Sequence, residues 1–173
     1  MIHIPENKRN VPSLFTCLDG TEVKTAEDWT GKRRPEILGI LRKEEYGCLP
    51  DMGDVQINIR VAAVRQGGKI MNGRAVRKTV EVEAIRGDRN FIFTFEVFIP
   101  ANADKPVPAF VEICNRGTMN CDPAREFYSS FYPAETIISR GYACAVFRTQ
   151  EVAPDYEEGF SIGFHRLFPE YNC

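Results

Sequence analysis

Gly159-Phe160-Ser161-Ile162-Gly163 has the G-x-S-x-G spacing that, in a nucleophile elbow, lifts a serine hydroxyl out of a sharp turn towards an ester carbonyl. Such a turn needs a buried strand running in and a helix running out. The approach here is Ala153-Pro154-Asp155-Tyr156-Glu157-Glu158, with a proline and three acids, and the exit is Phe164-His165-Arg166-Leu167-Phe168-Pro169. Proline removes a backbone donor and breaks a helix, so both flanks predict irregular chain and Ser161 is not expected to be a nucleophile. Asp155, Ser161 and His165 are the residue types of a catalytic triad. Packed so closely in an irregular stretch, they lack the rigid elements that hold a triad, and His165 is read as a surface imidazole. The only other histidine is His3. Asp155, Glu157 and Glu158 do not alternate with turn residues around a glycine as a cation loop requires, and they are read as a solvated acidic loop. No catalytic residue, metal ligand or cofactor is assigned.

The chain has 173 residues, with 43% hydrophobic and 27% charged, ordinary values for one globular domain. A net charge of −2 and a pI near 5.8 give no field for a phosphate backbone, so nucleic acid is not an expected partner. The sequence holds no apolar run of membrane-spanning length, and residues 1–10 carry Pro5, Lys8 and Arg9 where a signal peptide needs an apolar stretch. A cytoplasmic protein without membrane contact is expected. Cys17, Cys48, Cys114, Cys121, Cys144 and Cys173 include no C-x-x-C pair and no histidine at zinc-finger spacing. They are read as reduced thiols, with Cys114 and Cys144 inside apolar runs as small core residues.

The elements that must position any chemistry follow from periodicity. Thr25 stands as an N-cap ahead of Glu27 and Asp28, and Trp29 opens an apolar face. Pro35 and Gly47 bracket a helix predicted over 35–46. Three alternating segments follow around Val55 to Val61, Val76 to Val82 and Phe91 to Ile99, joined by glycine-rich links that include Asn72-Gly73 and Arg86-Gly87-Asp88. They predict an antiparallel meander with one wet face, at an edge of the sheet. The pattern then changes to a continuous apolar run (107–114), a polar loop, a helix (133–140) closed by Gly141, and a second apolar run (142–147). That order is a βαβ unit in a parallel sheet.

These residues resemble a family. Asp19-Gly20-Thr21 with Thr25-Ala26-Glu27-Asp28-Trp29, Lys32-Arg33-Arg34-Pro35-Glu36-Ile37-Leu38, Tyr46-Gly47, Phe98-Ile99-Pro100-Ala101-Asn102, Val107-Pro108, Asn115-Arg116-Gly117, Arg140-Gly141-Tyr142, Pro154-Asp155, Gly159-Phe160 and Leu167-Phe168 look like the N-terminal portion of the carbohydrate esterases related to glucuronoyl methylesterases and acetyl xylan esterases. The resemblance spans nearly the whole chain. It implies a partial α/β-hydrolase three-layer sandwich, with antiparallel N-terminal strands leading into a parallel βαβ unit. One domain over 1–173 is expected: irregular lead-in and helix (1–50), antiparallel strands (55–100), βαβ unit (106–149) and a loop-rich tail (150–173). The resemblance also implies that the Ser/acid/His triad of the family lies beyond residue 173, which predicts a truncated hydrolase, inactive alone.

What remains for chemistry is the loop Asn115-Arg116-Gly117-Thr118. In this fold the loop after the third strand donates backbone N–H groups to the oxyanion hole, and Arg116 and Gly117 are the candidates for it. The bland alternative is a polar turn with a solvated arginine. Phe127, Tyr128, Phe131 and Tyr132 form either a sugar-stacking surface or a core face. The chain is thus expected to be the front of a carbohydrate ester hydrolase, its substrate met only when a C-terminal half completes it, or else a non-catalytic glycan- or protein-binding module. A parallel sheet ending at its second inner strand exposes an apolar edge, so a homo-oligomer through that edge is expected.

Overall fold

The computed structural model describes residues 12–66, 70–156 and 158–171. Its contacts divide the chain into two compact units, Met1–Pro50 and Asp51–Cys173.

In the first unit, Thr25 caps α1 (Ala26–Asp28) through a reciprocal capping box, its hydroxyl accepting from the Asp28 N–H at 3.1 Å and the Asp28 carboxylate accepting from the Thr25 N–H at 3.0 Å. The helix then runs without a break through a π-helical turn (Trp29–Arg33), α2 (Arg34–Leu41) and a second π-helical turn (Arg42–Tyr46) to Gly47, whose φ of 74° ends it. The predicted start at Pro35 is therefore too late. Pro35 has no N–H for an ordinary helical bond, and the wider turn just before it lets the helix pass through the proline instead of beginning there. Arg33, 7% exposed, anchors the preceding loop by donating to the Leu14 and Ser13 carbonyls, each at 2.9 Å.

The second unit is built on a five-stranded sheet in the order β1-β2-β3-β5-β4. Strands β1 (Gln56–Arg65), β2 (Ala75–Arg86) and β3 (Arg89–Pro100) form the antiparallel meander, with Val80 opposite both Val61 and Phe95. Its tight reversal is Gly87-Asp88, where Gly87 takes φ 59°, a conformation glycine adopts without steric cost. Strand β5 (Ala143–Arg148) pairs antiparallel with β3, and β4 (Ala109–Cys114) pairs parallel with β5, from Ala109 opposite Ala143 to Cys114 opposite Arg148. Helix α3 (Ala134–Ser139) makes the crossover and ends at Gly141, φ 83°. The fold class is α/β, with a mixed sheet and helices, as the apolar periodicity predicts.

Register decides which residues meet. On one face Phe98, Cys144, Val146 and Cys114 pack with Tyr132, Ala134 and Ile138 from the crossover. On the other, Ala84 and Phe91 pack with Leu167 and Phe168 of the tail, and the Phe164 ring meets Phe91 edge-on with centroids 5.9 Å apart. Arg86 fastens that tail: it pairs with Asp54 at 2.8 Å, donates to the Leu167 carbonyl at 3.0 Å and lies over the Phe168 ring at 4.7 Å.

The two sheet edges differ. Strand β1 carries Arg60, Arg65 and a register shift between Val61 and Ala63, devices that discourage strand addition. Strand β4 has none of them. It has a single charge, Glu112, and leaves Phe110, Val111 and Ile113 between 56% and 66% exposed. Both apolar runs of the βαβ unit form strands, but β4 occupies the border of the sheet, where nothing among the described residues covers it.

Candidate functional site

In parallel sheets, ligands gather where strands end and loops begin. Here the C-terminal ends of β4 and β5 lie side by side, joined by the Thr149 hydroxyl donating to the Cys114 carbonyl at 3.3 Å. The chain leaving β4 forms the loop 115–117 and then a 3-10 turn, Thr118–Cys121. The chain leaving β5 begins the short helix α4 (Thr149–Val152). Between them opens a cavity of about 230 Å³ lined by Glu96, Thr118, Cys121, Arg148 and Glu151.

Gly117 is exposed, at φ −59°, and a Cβ built on it would meet nothing within 4 Å. Its conformation thus suits any residue, and what glycine adds is open space beside the backbone. Among the described residues, the N–H groups of Gly117 and Thr118 find no backbone acceptor, the condition a donor to a developing oxyanion must meet. Arg116 is exposed, but its guanidinium is not fully solvated: it lies 4.7 Å over the Phe131 ring. The aromatic cluster splits. Tyr132 is core at 1% exposed and Phe131 is half-buried under Arg116, while Phe127 and Tyr128 are 51% and 65% exposed on an irregular segment.

Arg148, Glu151, Glu96 and Cys121 were not singled out by sequence reasoning. Arg148 Nε donates to the Glu151 carboxylate at 2.9 Å, and that hydrogen bond, with the carboxylate charge, raises the arginine pKa further. Glu96 is held by Arg77 in a two-pronged pair at 2.7 and 2.9 Å and by the Thr79 hydroxyl at 3.0 Å. The cavity therefore presents polar groups whose charges are internally balanced. Burial pushes the Cys121 thiol up to about 12, aided by a side-chain hydrogen bond with Cys114, so at neutral pH it is a thiol and not a thiolate nucleophile. One signal was available for Arg148 and Glu151: a cation ending an apolar strand, with an acid three residues on.

Ser161 sits elsewhere. It lies exposed in the one-turn helix α5 (Gly159–Ile162), and its hydroxyl donates to the Glu158 carbonyl at 2.7 Å. Among the described residues no strand leads into that turn. The two glycines of the motif have a packing cause: a Cβ on Gly159 would stand 2.2 Å from the Pro154 carbonyl oxygen, and one on Gly163 2.7 Å from that of Val152. The chain folds back on itself too closely for side chains there. His165 follows in a 3-10 turn (Phe164–Leu167) and is exposed. Glu157, Cys173 and His3 lie outside the described residues.

In the first unit Cys17, Asp19 and Glu36 bring potential metal-ligand atoms within 4.8 Å of one another. Both carboxylates are already engaged. Lys32 Nζ pairs with Asp19 at 2.5 Å and holds its carboxyl well below the usual carboxylate range, and Glu36 takes Arg33 at 3.3 Å and the Leu18 N–H at 3.1 Å. We read the cluster as ion pairing. No helix among the described residues is long and apolar enough to cross a membrane.

No protein-family profile matches the chain. Over 121 residues, 70% of its length, it is 26% identical to a carbohydrate esterase, MZ0003, from an unknown prokaryotic organism, and it spans 27% of that protein. In structure it is similar to a glucuronoyl esterase from Solibacter usitatus, at TM-score 0.73 and 25% identity over 92% of this chain and 46% of that one. A second structure of glucuronoyl esterase from the same organism gives 0.71 and 27%, over 95% and 47%. The chain spans less than half the length of these proteins.

Proposed function

This chain is the counterpart of the N-terminal portion of the α/β-hydrolase-fold carbohydrate esterases, and from that premise we propose that it supplies scaffold and oxyanion loop to a carboxylic ester hydrolase of carbohydrate esters. The nucleophile, acid and histidine come from a C-terminal half that adds the next parallel strand to β4. The isolated chain is then inactive: half an oxyanion hole has no turnover without the group that attacks the carbonyl. The observation that carries this reading is β4 itself, parallel to its neighbour, with Glu112 its single charge and Phe110, Val111 and Ile113 exposed at the border of the sheet. In the completed site the N–H groups of Gly117 and Thr118 face the carbonyl oxygen as it becomes an oxyanion, where fixed donors act without reorganising. Arg148 and Glu151 offer hydrogen bonds to sugar hydroxyls at the same strand ends. The nucleophile then forms an acyl-enzyme that water hydrolyses.

Assayed alone on p-nitrophenyl acetate and on the methyl ester of glucuronic acid, the chain is expected to give no turnover above buffer, and Ser161→Ala to change nothing. Turnover abolished by Ser161→Ala would overturn the proposal. Until its edge is filled, the chain pairs with a second copy through β4. In sedimentation velocity, Val111→Lys is expected to shift the population towards monomer while moving stability by no more than ~0.5 kcal/mol, as for other exposed positions. A population that Val111→Lys leaves unaltered would place the contact elsewhere.

The exposed rings of Phe127 and Tyr128 favour a second reading, a non-catalytic module that stacks on a glycan or a protein surface. Binding of a xylan oligosaccharide that is lost in Phe127→Ala, without turnover in any mixture, would favour it over the esterase scaffold.

A further inference from the structure

The border strand β4 carries a pattern that complements itself. Its residues Ala109, Val111 and Ile113 lie opposite Ala143, Ala145 and Phe147, and the alternate set Phe110, Glu112 and Cys114 lies opposite Cys144, Val146 and Arg148. Successive side chains of a strand point to opposite faces, so Phe110 and Glu112 share the face of the core residues Cys144 and Val146, and Ala109, Val111 and Ile113 share the other. On that other face Ala109 forms one wall of an open cavity of about 520 Å³, with Val97, Ile99, Val107 and Ala143. Ile113, at the far end of the strand, stands 58% exposed. The strand thus has a hole at one end and a knob at the other. Its window for pairing is short, because Pro108 has no N–H to offer a neighbour and the strand ends at Cys114.

We propose that β4 pairs antiparallel with the β4 of a second copy about a two-fold axis at Val111. Val111 meets the partner's Val111, Ala109 meets the partner's Ile113, and Phe110 meets the partner's Glu112. Directly opposite residues of an antiparallel pair share a face, so a two-fold pair that keeps the two apolar faces together has its axis on a residue, with Phe110, Val111 and Glu112 the central choices. An axis at Glu112 sets two carboxylates directly opposite, which is repulsive. An axis at Phe110 leaves Glu112 and Ile113 outside the ladder, across from the partner's Pro108 and the partner's Val107. The axis at Val111 avoids both faults and seats Ile113 in the cavity beside the partner's Ala109. Phe110, Val111 and Ile113 with their backbone offer on the order of 800 Å² over both copies, at the low end of specific interfaces, so the pair is reversible. It occupies the edge that a C-terminal half would extend, and self-pairing and completion therefore exclude one another. That consequence rests on the esterase reading above, but the register does not.

Disulfide trapping reads the register in the full chain with Cys48 and Cys173 replaced by serine. Directly opposite Cα atoms of an antiparallel pair lie about 4.5–5.5 Å apart, within reach of a disulfide. Under diamide, which takes up the two thiol hydrogens, Val111→Cys is expected to give a covalent dimer that reductant separates, about tenfold or more faster than Phe110→Cys or Glu112→Cys. Ala109→Cys mixed with Ile113→Cys is expected to cross-link faster than either variant alone. Charge gives a second readout that needs no cysteine. In sedimentation velocity the dissociation constant of Phe110→Glu is expected to exceed that of Phe110→Lys about tenfold at low salt and by much less at high salt, since lysine attracts the partner's Glu112 and glutamate repels it. Equal trapping at 110, 111 and 112 would overturn the register, as would equal constants for the two Phe110 variants or a chain that stays monomeric at every concentration. None of these readouts involves turnover, so failure of the register and failure of the esterase reading are told apart.

Discussion

Glu135→Ala is expected to destabilise the second unit by about 3–4 kcal/mol, lowering Tm by roughly 10 °C, because it leaves a buried arginine without its partner. The Arg125 side chain is 1% exposed and donates twice to Glu135, at 2.8 and 2.7 Å. Its remaining contacts are neutral, a hydrogen bond from Nη2 to the Tyr132 carbonyl at 3.2 Å and the Tyr132 ring at 5.2 Å, while Nη1 is buried with no partner among the described residues. Replacing both members, as in Arg125→Met with Glu135→Leu, is expected to cost far less than the single change, since an apolar pair of similar volume strands no charge. Thermal unfolding of the three variants checks this, and equal losses in the single and double changes would refute it.

The same pair sets an acid limb. Burial raises the Glu135 pKa, but the Arg125 hydrogen bonds and charge outweigh it and hold the carboxyl below the usual range. A carboxyl lowered in the folded state adds stability that is present above its unfolded pKa of about 4.3 and is lost as pH falls through the folded value. Tm is therefore expected to be level above about pH 5 and to drop below about pH 4, more steeply in the parent than in the double variant, which has no such group to protonate.

The second large effect lies in the motif itself. Gly159→Ala is expected to cost about 3 kcal/mol, because the new Cβ would meet backbone, the Pro154 carbonyl oxygen at 2.2 Å, and the turn must open. Gly117→Ala is the control. That position has open space and an ordinary φ of −59°, so the change is expected to be neutral or to stabilise by about 0.5 kcal/mol through a stiffer unfolded chain. Chemical denaturation separates the two. A tolerated Gly159→Ala would mean that the glycine serves something other than packing.

Much of the scaffold was legible because its signals are local. Alternation over Phe91 to Ile99 marks β3, the Thr25–Asp28 capping box marks a helix start, and glycine after 133–140 ends α3. The π-helical turn ahead of Pro35 was not legible, since propensity rules treat proline as a boundary and carry no term for a widened turn. An apolar run also reads the same whether its strand is central or at the border, so the exposure of Phe110, Val111 and Ile113 needed the sheet order. The candidate site divides the same way. Arg116 and Gly117 follow from their place after a strand, whereas Arg148 and Cys121 come to the cavity only through the pairing of β4 with β5. Arg125 and Glu135 face each other across an irregular segment, which no periodicity describes.

On the proposed reading Ser161, despite its motif, is not a nucleophile, and covalent labelling separates an activated serine from an inert one. A fluorophosphonate reacts with serines activated by a neighbouring base, and peptide mapping locates the adduct. Ser161, whose hydroxyl donates to the Glu158 carbonyl, is expected to remain unmodified after hours with excess reagent. A stoichiometric adduct on Ser161, suppressed by a carbohydrate ester, would contradict it.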